Sequence, residues 1–195
     1  MKDFFDKVYL INLKRRPDRL RGVRQEMAKG WPFKEPEVFE ALDGKLIPAP
    51  SGWTHTAGNY ACLQSHCRIL ERVFMEGHSS VLVLEDDICW EDTFCQDVER
   101  FLSDVPDDWE LLMLGGGHQE PPIRLKPGLV RCVNTQLTHA LGWRNGPMMR
   151  DVYRAWMTST ISIDWKLASL MRDYKVYAPE PFLMYQSKSP SDIRA

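Results

Sequence analysis

Short apolar runs rich in β-branched residues alternate along this chain with longer stretches in which apolar residues recur every three to four positions. That alternation predicts strands and helices taking turns, an α/β arrangement. Val8 to Leu13 predicts a first strand, and Arg16-Pro17-Asp18-Arg19-Leu20 opens a helix with Pro in its first turn. A short strand is expected around 36–41, ended by Leu42-Asp43-Gly44 and an irregular loop through Gly52. From Tyr60 to Phe74 the residues Tyr60, Leu63, Cys67, Leu70 and Phe74 form one stripe, widened by Cys62, Ile69 and Val73, while Gln64, Arg68, Glu71 and Arg72 lie opposite. The segment reads as an amphipathic helix closed by Gly77. Val81-Leu82-Val83-Leu84 has no polar alternation at all, the pattern of a strand buried on both faces.

Farther along, a polar helix is expected around 94–102 and a strand at 110–114 running into Gly115-Gly116-Gly117. A strand region over 130–143 precedes a helix from Pro147 to about Met157. Ile161-Ser162-Ile163 reads as a short strand leading to Asp164 at a helix start, and a terminal strand pair is expected near Val176 and over 182–186. No internal repeat or low-complexity tract interrupts the pattern, so residues 1–195 read as a single domain around one core.

Composition narrows the classes. The formal charge of −2 is close to balanced and argues against nucleic acid as a partner. The chain lacks an apolar run of about 18 residues, which argues against a transmembrane segment. Met1-Lys2-Asp3-Phe4-Phe5-Asp6 lacks the apolar core of a signal peptide, so a cytoplasmic protein is expected, with peripheral association at the inner face of a membrane left open. The five cysteines match no zinc or redox spacing, and reduced, buried thiols are the expectation.

The chemistry concentrates where the Val81 strand ends, on Glu85-Asp86-Asp87. In open α/β sheets ligands bind at the carboxyl ends of strands, and clustered carboxylate oxygens there suit a hard divalent cation that also grips a diphosphate. Acidic residues also follow strands as turn formers and caps, but three adjacent negative charges repel unless a cation or basic groups face them. Strand alternation places Glu85 and Asp87 on one side, making Asp87 a direct metal ligand and Glu85 a ligand or ribose contact. The alternative, with Asp86 as the ligand and Asp87 as a cap, stays open.

The ordered series Asn12-Leu13 with Arg16, Asp18 and Arg19, then Ala41-Leu42-Asp43-Gly44, Gly58 through Cys62 to Ser65-His66, Leu84-Glu85-Asp86-Asp87, Thr138-His139-Ala140, Ile163-Asp164, and Gln186 with Ser191-Asp192-Ile193 resembles glycosyltransferase family 25. That family includes lipopolysaccharide-type galactosyltransferases and collagen hydroxylysine galactosyltransferases. The resemblance covers nearly the whole chain. It implies a single GT-A type nucleotide-diphospho-sugar transferase domain with a mostly parallel central sheet flanked by helices. It also implies transfer of galactose from UDP-galactose, with inversion, using Mn²⁺ or Mg²⁺, to a hydroxyl of a glycan or lipopolysaccharide sugar.

Sugar transfer needs a cation on the leaving diphosphate and a base on the acceptor hydroxyl. Asp164, at a strand end beside a helix start, is the candidate base, with a plain N-cap as the competing role. Trp165 beside it stacks on a sugar or simply packs. Arg16 and Arg19 follow the first strand closely enough to engage nucleotide phosphate or ribose, whereas Lys14, Arg15, Arg21 and Arg24 read as solvated surface. Asn12 and Asp43 end strands at the same site, Asp43 with uracil or ribose in reach or as an Asp-Gly turn.

His66 falls inside the apolar arc of its helix and is expected as a buried support; Ser65, at the polar edge, faces the cleft or solvent. His139 is expected half-buried at best, with metal or diphosphate contact open. Gln186 is a candidate to close the nucleotide site, and Ser191-Asp192 reads as a tail. Two other functions stay in view, a noncatalytic nucleotide-sugar binding protein and a metal-dependent phosphohydrolase or nuclease. The latter more often carries further His or Asp ligands for a second ion.

Overall fold

A computed structural model describes residues 1–187 and 192–193. In chain order it contains β1 (Lys7–Asn12), α1 (Pro17–Ala28), β2 (Glu37–Glu40), α2 (Ala57–Glu76), β3 (Ser80–Glu85), β4 (Ile88–Cys89), α3 (Phe94–Asp104), β5 (Leu111–Met113) and β6 (Gly117–His118). Then follow β7 (Ile123–Lys126), β8 (Leu129–Arg131), β9 (Thr135–Gln136), β10 (Ala140–Arg144), α4 (Pro147–Met157), α5 (Ile163–Ala168), β11 (Val176–Pro179) and β12 (Tyr185–Gln186). No helix among the described residues is long and apolar enough to cross a membrane.

Eight strands form one twisted layer in the order β2-β1-β3-β10-β5-β11-β8-β7. β1 is parallel to β2 and β3, and β5 is parallel to β11. β10 is antiparallel to β3 and β5, and β8 to β11 and β7. Six strands therefore run one way and two, β8 and β10, run back. The carboxyl ends of β1, β2, β3 and β5 consequently meet the amino end of β10 at one edge, where the acidic triplet emerges.

Helices cover both faces, which is why the central strands lack polar alternation. In β3, Val81 and Val83 face a core with α2, α4 and α5, while Leu82 and Leu84 face another with α1 and α3. β1 divides in the same way, with Tyr9 and Ile11 on one side and Val8 and Leu10 on the other. α2 begins at Thr56, whose Oγ1 accepts from the Asn59 amide at 3.1 Å, and stops at Gly77 in the left-handed conformation with φ 72°.

Several expected elements differ. Residues 161–162 are not a strand: Ser162 is the N-cap of α5 and Ile163 already its first residue. A run of three apolar or small residues carries too little signal to separate strand from helix start. The region 130–143 contains parts of three strands rather than one, β8, β9 and β10, with β9 paired to β6 outside the main sheet. Leu137, at φ 73°, turns the chain between β9 and β10 and breaks the alternation expected there. The terminal strands do not pair with each other: β11 lies inside the main sheet, and β12 pairs with β4, just beyond the acidic triplet.

Candidate active site at the carboxyl edge of the sheet

The three acids leaving β3 take three different environments. Glu85 Oε1 accepts from the Thr138 hydroxyl at 2.7 Å and lies 3.2 Å from His66 Nε2, with Cys62 Sγ at 4.0 Å. Burial pushes its carboxyl up, but the imidazole of His66 and the Thr138 hydroxyl outweigh that and hold it below the usual value. Asp86 stays on the wall of the site but is held by two donors, accepting from Asn12 Nδ2 at 2.6 Å and from Arg19 Nη1 at 2.8 Å. Burial raises its carboxyl against the pull of Arg19.

Asp87 is the least satisfied. Gln186 Nε2 reaches its Oδ2 at 3.4 Å and Arg19 at 3.8 Å, while Oδ1 is buried without a hydrogen-bond partner among the described residues. Desolvation first, then the charge of Glu85, push its carboxyl up to about 7. An ionised carboxylate in that position calls for a cation, so the residues present fit a divalent ion on Asp87 with Glu85 on the same wall. A second donor set lies beside it, in which Cys62, His66 and Glu85 bring one ligand atom each within 4.8 Å of one another. Burial holds the Cys62 thiol well above its ordinary value, which favours the protonated form over a metal-ready thiolate.

Two cavities meet at this point. An inner pocket of about 90 Å³ is walled by Ile11, Leu13, Arg15, Arg19, the Ala41–Gly44 loop, Gly58, Ser65 and Asp192. An outer cleft of about 740 Å³ is walled by Thr54, His55, Asn59, Leu137, Thr138, Ser162, Asp164 and Trp165. Cys62, Glu85, Asp87, Gln186 and Ile193 belong to both, so the two least shielded acids form the wall between them. The inner pocket depends on close backbone approach: a Cβ on Gly44 would lie 2.5 Å from the Gly58 nitrogen, and one on Gly58 would lie 2.8 Å from the Asp192 carbonyl oxygen.

Asp43 and Gln186 reach the pocket walls as expected, and Arg19 lines the inner pocket while its guanidinium pairs with Asp86. Ser65 does not face solvent. It is fully buried, donates to the Ala61 carbonyl at 2.7 Å and accepts from the Leu42 amide at 2.9 Å, fixing the loop that carries Asp43. Asn12 lies below the pocket, donating to the Arg16 carbonyl and to Asp86. His66 is a buried support packed edge-on to Trp156.

His139 is buried rather than half-exposed, with Nε2 3.2 Å from the Met184 carbonyl; burial holds its imidazole below the usual value. It lines neither cavity. The reason is again Leu137, whose left-handed backbone turns Thr138, not His139, toward Glu85. Asp164 lies on the outer wall, its Oδ1 accepting from the Ser162 hydroxyl and from the Trp165 amide at 2.9 Å.

Arg16 points out of the pocket to Asp18 at 2.8 Å and to Asp192. Its neighbour Arg15 takes the inner wall instead, pairing with Asp43 at 2.6 Å and with Asp192. Charge spacing alone could not separate two adjacent arginines. Asp192 is part of the site rather than a free tail, and its partner in the motif, Ser191, lies outside the described residues. Ser162 and Asn59, which support Asp164 through a 3.2 Å contact between them, carried no sequence signal.

Comparison with known sequences matches residues 5–136 to the profile of Glycosyltransferase family 25 (LPS biosynthesis protein). A relative from Homo sapiens named "Inactive glycosyltransferase 25 family member 3" is 34% identical, with 65% of this chain and 25% of the relative covered. "Procollagen galactosyltransferase 2" from Mus musculus is 28% identical, over 69% of this chain and 25% of that protein. The chain thus spans about a quarter of the length of these curated relatives. Among solved structures, mannose-1-phosphate geranyltransferase from Thermus thermophilus aligns with a TM-score of 0.43 and 10% identity over 89% of this chain and 73% of that one, too distant a likeness to add to the fold described above.

Proposed function

The chain belongs to glycosyltransferase family 25, and on that premise we propose that it transfers a hexose, galactose by preference, from a UDP-sugar to an acceptor hydroxyl with inversion, assisted by a divalent cation. The observation that carries this reading is the shared wall. The inner pocket and the outer cleft meet at Glu85 and Asp87, and Asp87 presents a buried oxygen with no partner among the described residues. A cation bound there would neutralise charge developing on the leaving diphosphate.

The chain's own groups account for the rest. Arg15 offers a guanidinium to a nucleotide diphosphate in the inner pocket, and Asp43 stands on the same wall for ribose or base. In the outer cleft an acceptor hydroxyl placed against Asp164 loses its proton to the carboxylate as its oxygen bonds the anomeric carbon. The bond from that carbon to the diphosphate oxygen breaks in the same displacement, and its electron pair leaves with UDP. Ser162 and the Trp165 amide keep Asp164 aimed by holding its other oxygen. A second reading, nucleotide-sugar binding without turnover, draws on the relatives named as inactive.

Calorimetry of UDP with and without Mn²⁺ tests the first reading at its base. UDP is expected to bind tightly only with Mn²⁺, and Asp87→Asn to abolish that dependence in a protein that still melts cooperatively. Because the Asp87 carboxyl is held up near 7, protons compete with the ion, so Mn²⁺ affinity should rise with pH up to about 7 and level off above it. Unchanged Mn²⁺-dependent UDP binding in folded Asp87→Asn removes the residue from the site. Tight binding without any sugar transfer to a panel of acceptors selects the second reading.

A further inference from the structure

The outer cleft holds an aromatic surface that the chemistry above does not use. Trp165, in the first turn of α5, leaves 53% of its surface exposed, a large fraction for the bulkiest apolar side chain. It lines the cleft beside Asp164, and the ring of His55 meets it edge-on, with centroids 5.6 Å apart and planes at 79°. His55 in turn packs edge-on against Trp53 at 6.2 Å, so the pair is braced from the loop before α2.

The surrounding rim is rich in uncharged hydrogen-bonding groups: Thr54, Asn59, Thr138 and Ser162 all contribute. Asn59 Oδ1 is buried without a hydrogen-bond partner among the described residues, an acceptor left over at the cleft wall. No Lys or Arg lines the cleft among the described residues, and three carboxylates do. An aromatic face bordered by hydroxyls, an amide and a carboxylate matches one ligand class closely. A pyranose ring carries a C–H face that packs on an indole and equatorial hydroxyls that reach the rim.

We propose that the outer cleft is a saccharide subsite in which Trp165, braced by His55, is the platform for a neutral pyranose of the acceptor, whose hydroxyl is thereby presented to Asp164. The proposal rests on the transferase reading for its direction, but the binding event does not. In the metal-free cleft the three carboxylates select against acidic sugars, since an anionic ring would meet like charge and no Lys or Arg lines the cleft among the described residues. A peptide acceptor would instead call for backbone donors and acceptors along an open strand edge, and the cleft lining offers none of the main-sheet edge strands.

Saturation-transfer NMR with methyl glycosides of neutral hexoses, methyl glucuronide and a hydroxylysine peptide reads the site without any activity. Wild-type protein is expected to bind a neutral glycoside and not the glucuronide. Trp165→Ala should weaken that binding about tenfold, Trp165→Phe should restore most of it, and His55→Ala should give an intermediate loss. UDP affinity should be the same in all four proteins, and in a transfer assay the acceptor KM should rise while the donor KM stays fixed. Equal glycoside binding by wild type, Trp165→Ala and His55→Ala overturns the proposal, as does preference for the peptide or the glucuronide. If glycosides bind through Trp165 but no UDP-sugar binds, the transferase reading fails and the saccharide platform stands.

Discussion

The inner pocket and the outer cleft share a wall, yet their charges are arranged on opposite principles. In the inner pocket charged groups meet counter-charges: Arg15 takes Asp43 and Asp192, and Arg19 takes Asp86. A ligand entering there must exchange with an existing pair, and its affinity is a difference between two charge-assisted contacts. The outer cleft has no such pairs on its rim. Beyond the shared Glu85 and Asp87 its charged group is Asp164, held by a hydroxyl and a backbone amide, and a large aromatic face stands open beside it. The inner pocket is therefore suited to discriminate by charge, and the outer cleft by shape and hydroxyl pattern. Substitutions on the two sides should separate donor binding from transfer.

The largest separation is expected at Asp164. Replacing it with Asn keeps the side chain's size and its ability to accept from the Trp165 amide, but removes the group that takes a proton from the acceptor. General bases contribute roughly 10² to 10⁴-fold to rate. Asp164→Asn should therefore lower transfer by at least about 10²-fold while UDP affinity, set on the other side of the wall, stays unchanged. Wild-type turnover in this variant would reduce Asp164 to a helix cap. A drop in melting temperature with normal turnover per folded molecule would say the same.

A second comparison is between pairs within the inner region. Arg19 and Asp86 are nearly enclosed, with 9% and 8% of their side chains exposed, whereas the pairs of Arg15 lie closer to solvent. Removing one partner of an enclosed pair leaves the other charge uncompensated, so Arg19→Ala should cost about 3 kcal/mol in urea unfolding at neutral pH. Burial already raises the Asp86 carboxyl, and without Arg19 it would rise further. A carboxyl raised in the folded state contributes stability below its unfolded value and loses it as pH climbs through the folded one. The penalty of Arg19→Ala should therefore shrink on acidification toward pH 4 and grow toward neutrality. A pH-independent penalty would mean that packing, not charge, is what Arg19 supplies.

The same contrast marks what could be read from sequence. The inner framework was legible because each strand announces its end: the apolar run stops at Glu85, Asn12 ends β1, and Asp43 follows β2 by three residues at the same sheet edge. The stripe of α2 likewise predicted a buried His66. What remained hidden depends on backbone geometry that no side-chain period encodes. The left-handed Leu137 exchanged Thr138 for His139 at Glu85, and the turn after β1 exchanged Arg15 for Arg16 on the pocket wall. Asp192 joins the site across more than 170 residues, a contact that the ordered family series pointed toward but its local composition, read as a tail, did not.

The smallest effect tests that exchange of arginines. Arg15 lines the inner pocket and Arg16 does not, although both hold Asp192. A lost charge-assisted hydrogen bond to ligand costs about 1.5–3 kcal/mol, and the 33% exposure of the Arg15 side chain places it at the lower end. Arg15→Ala should thus weaken UDP binding about tenfold, and Arg16→Ala by no more than Lys14→Ala or Arg24→Ala, the two surface controls. Part of the Arg15 loss should be offset because the ligand no longer competes with Asp192, so the double variant Arg15→Ala/Asp192→Asn should bind no worse than Arg15→Ala alone. Equal, small losses at all four basic positions would show that the segment attracts nucleotide only through diffuse charge, and that the inner pocket does not discriminate by direct pairing at all.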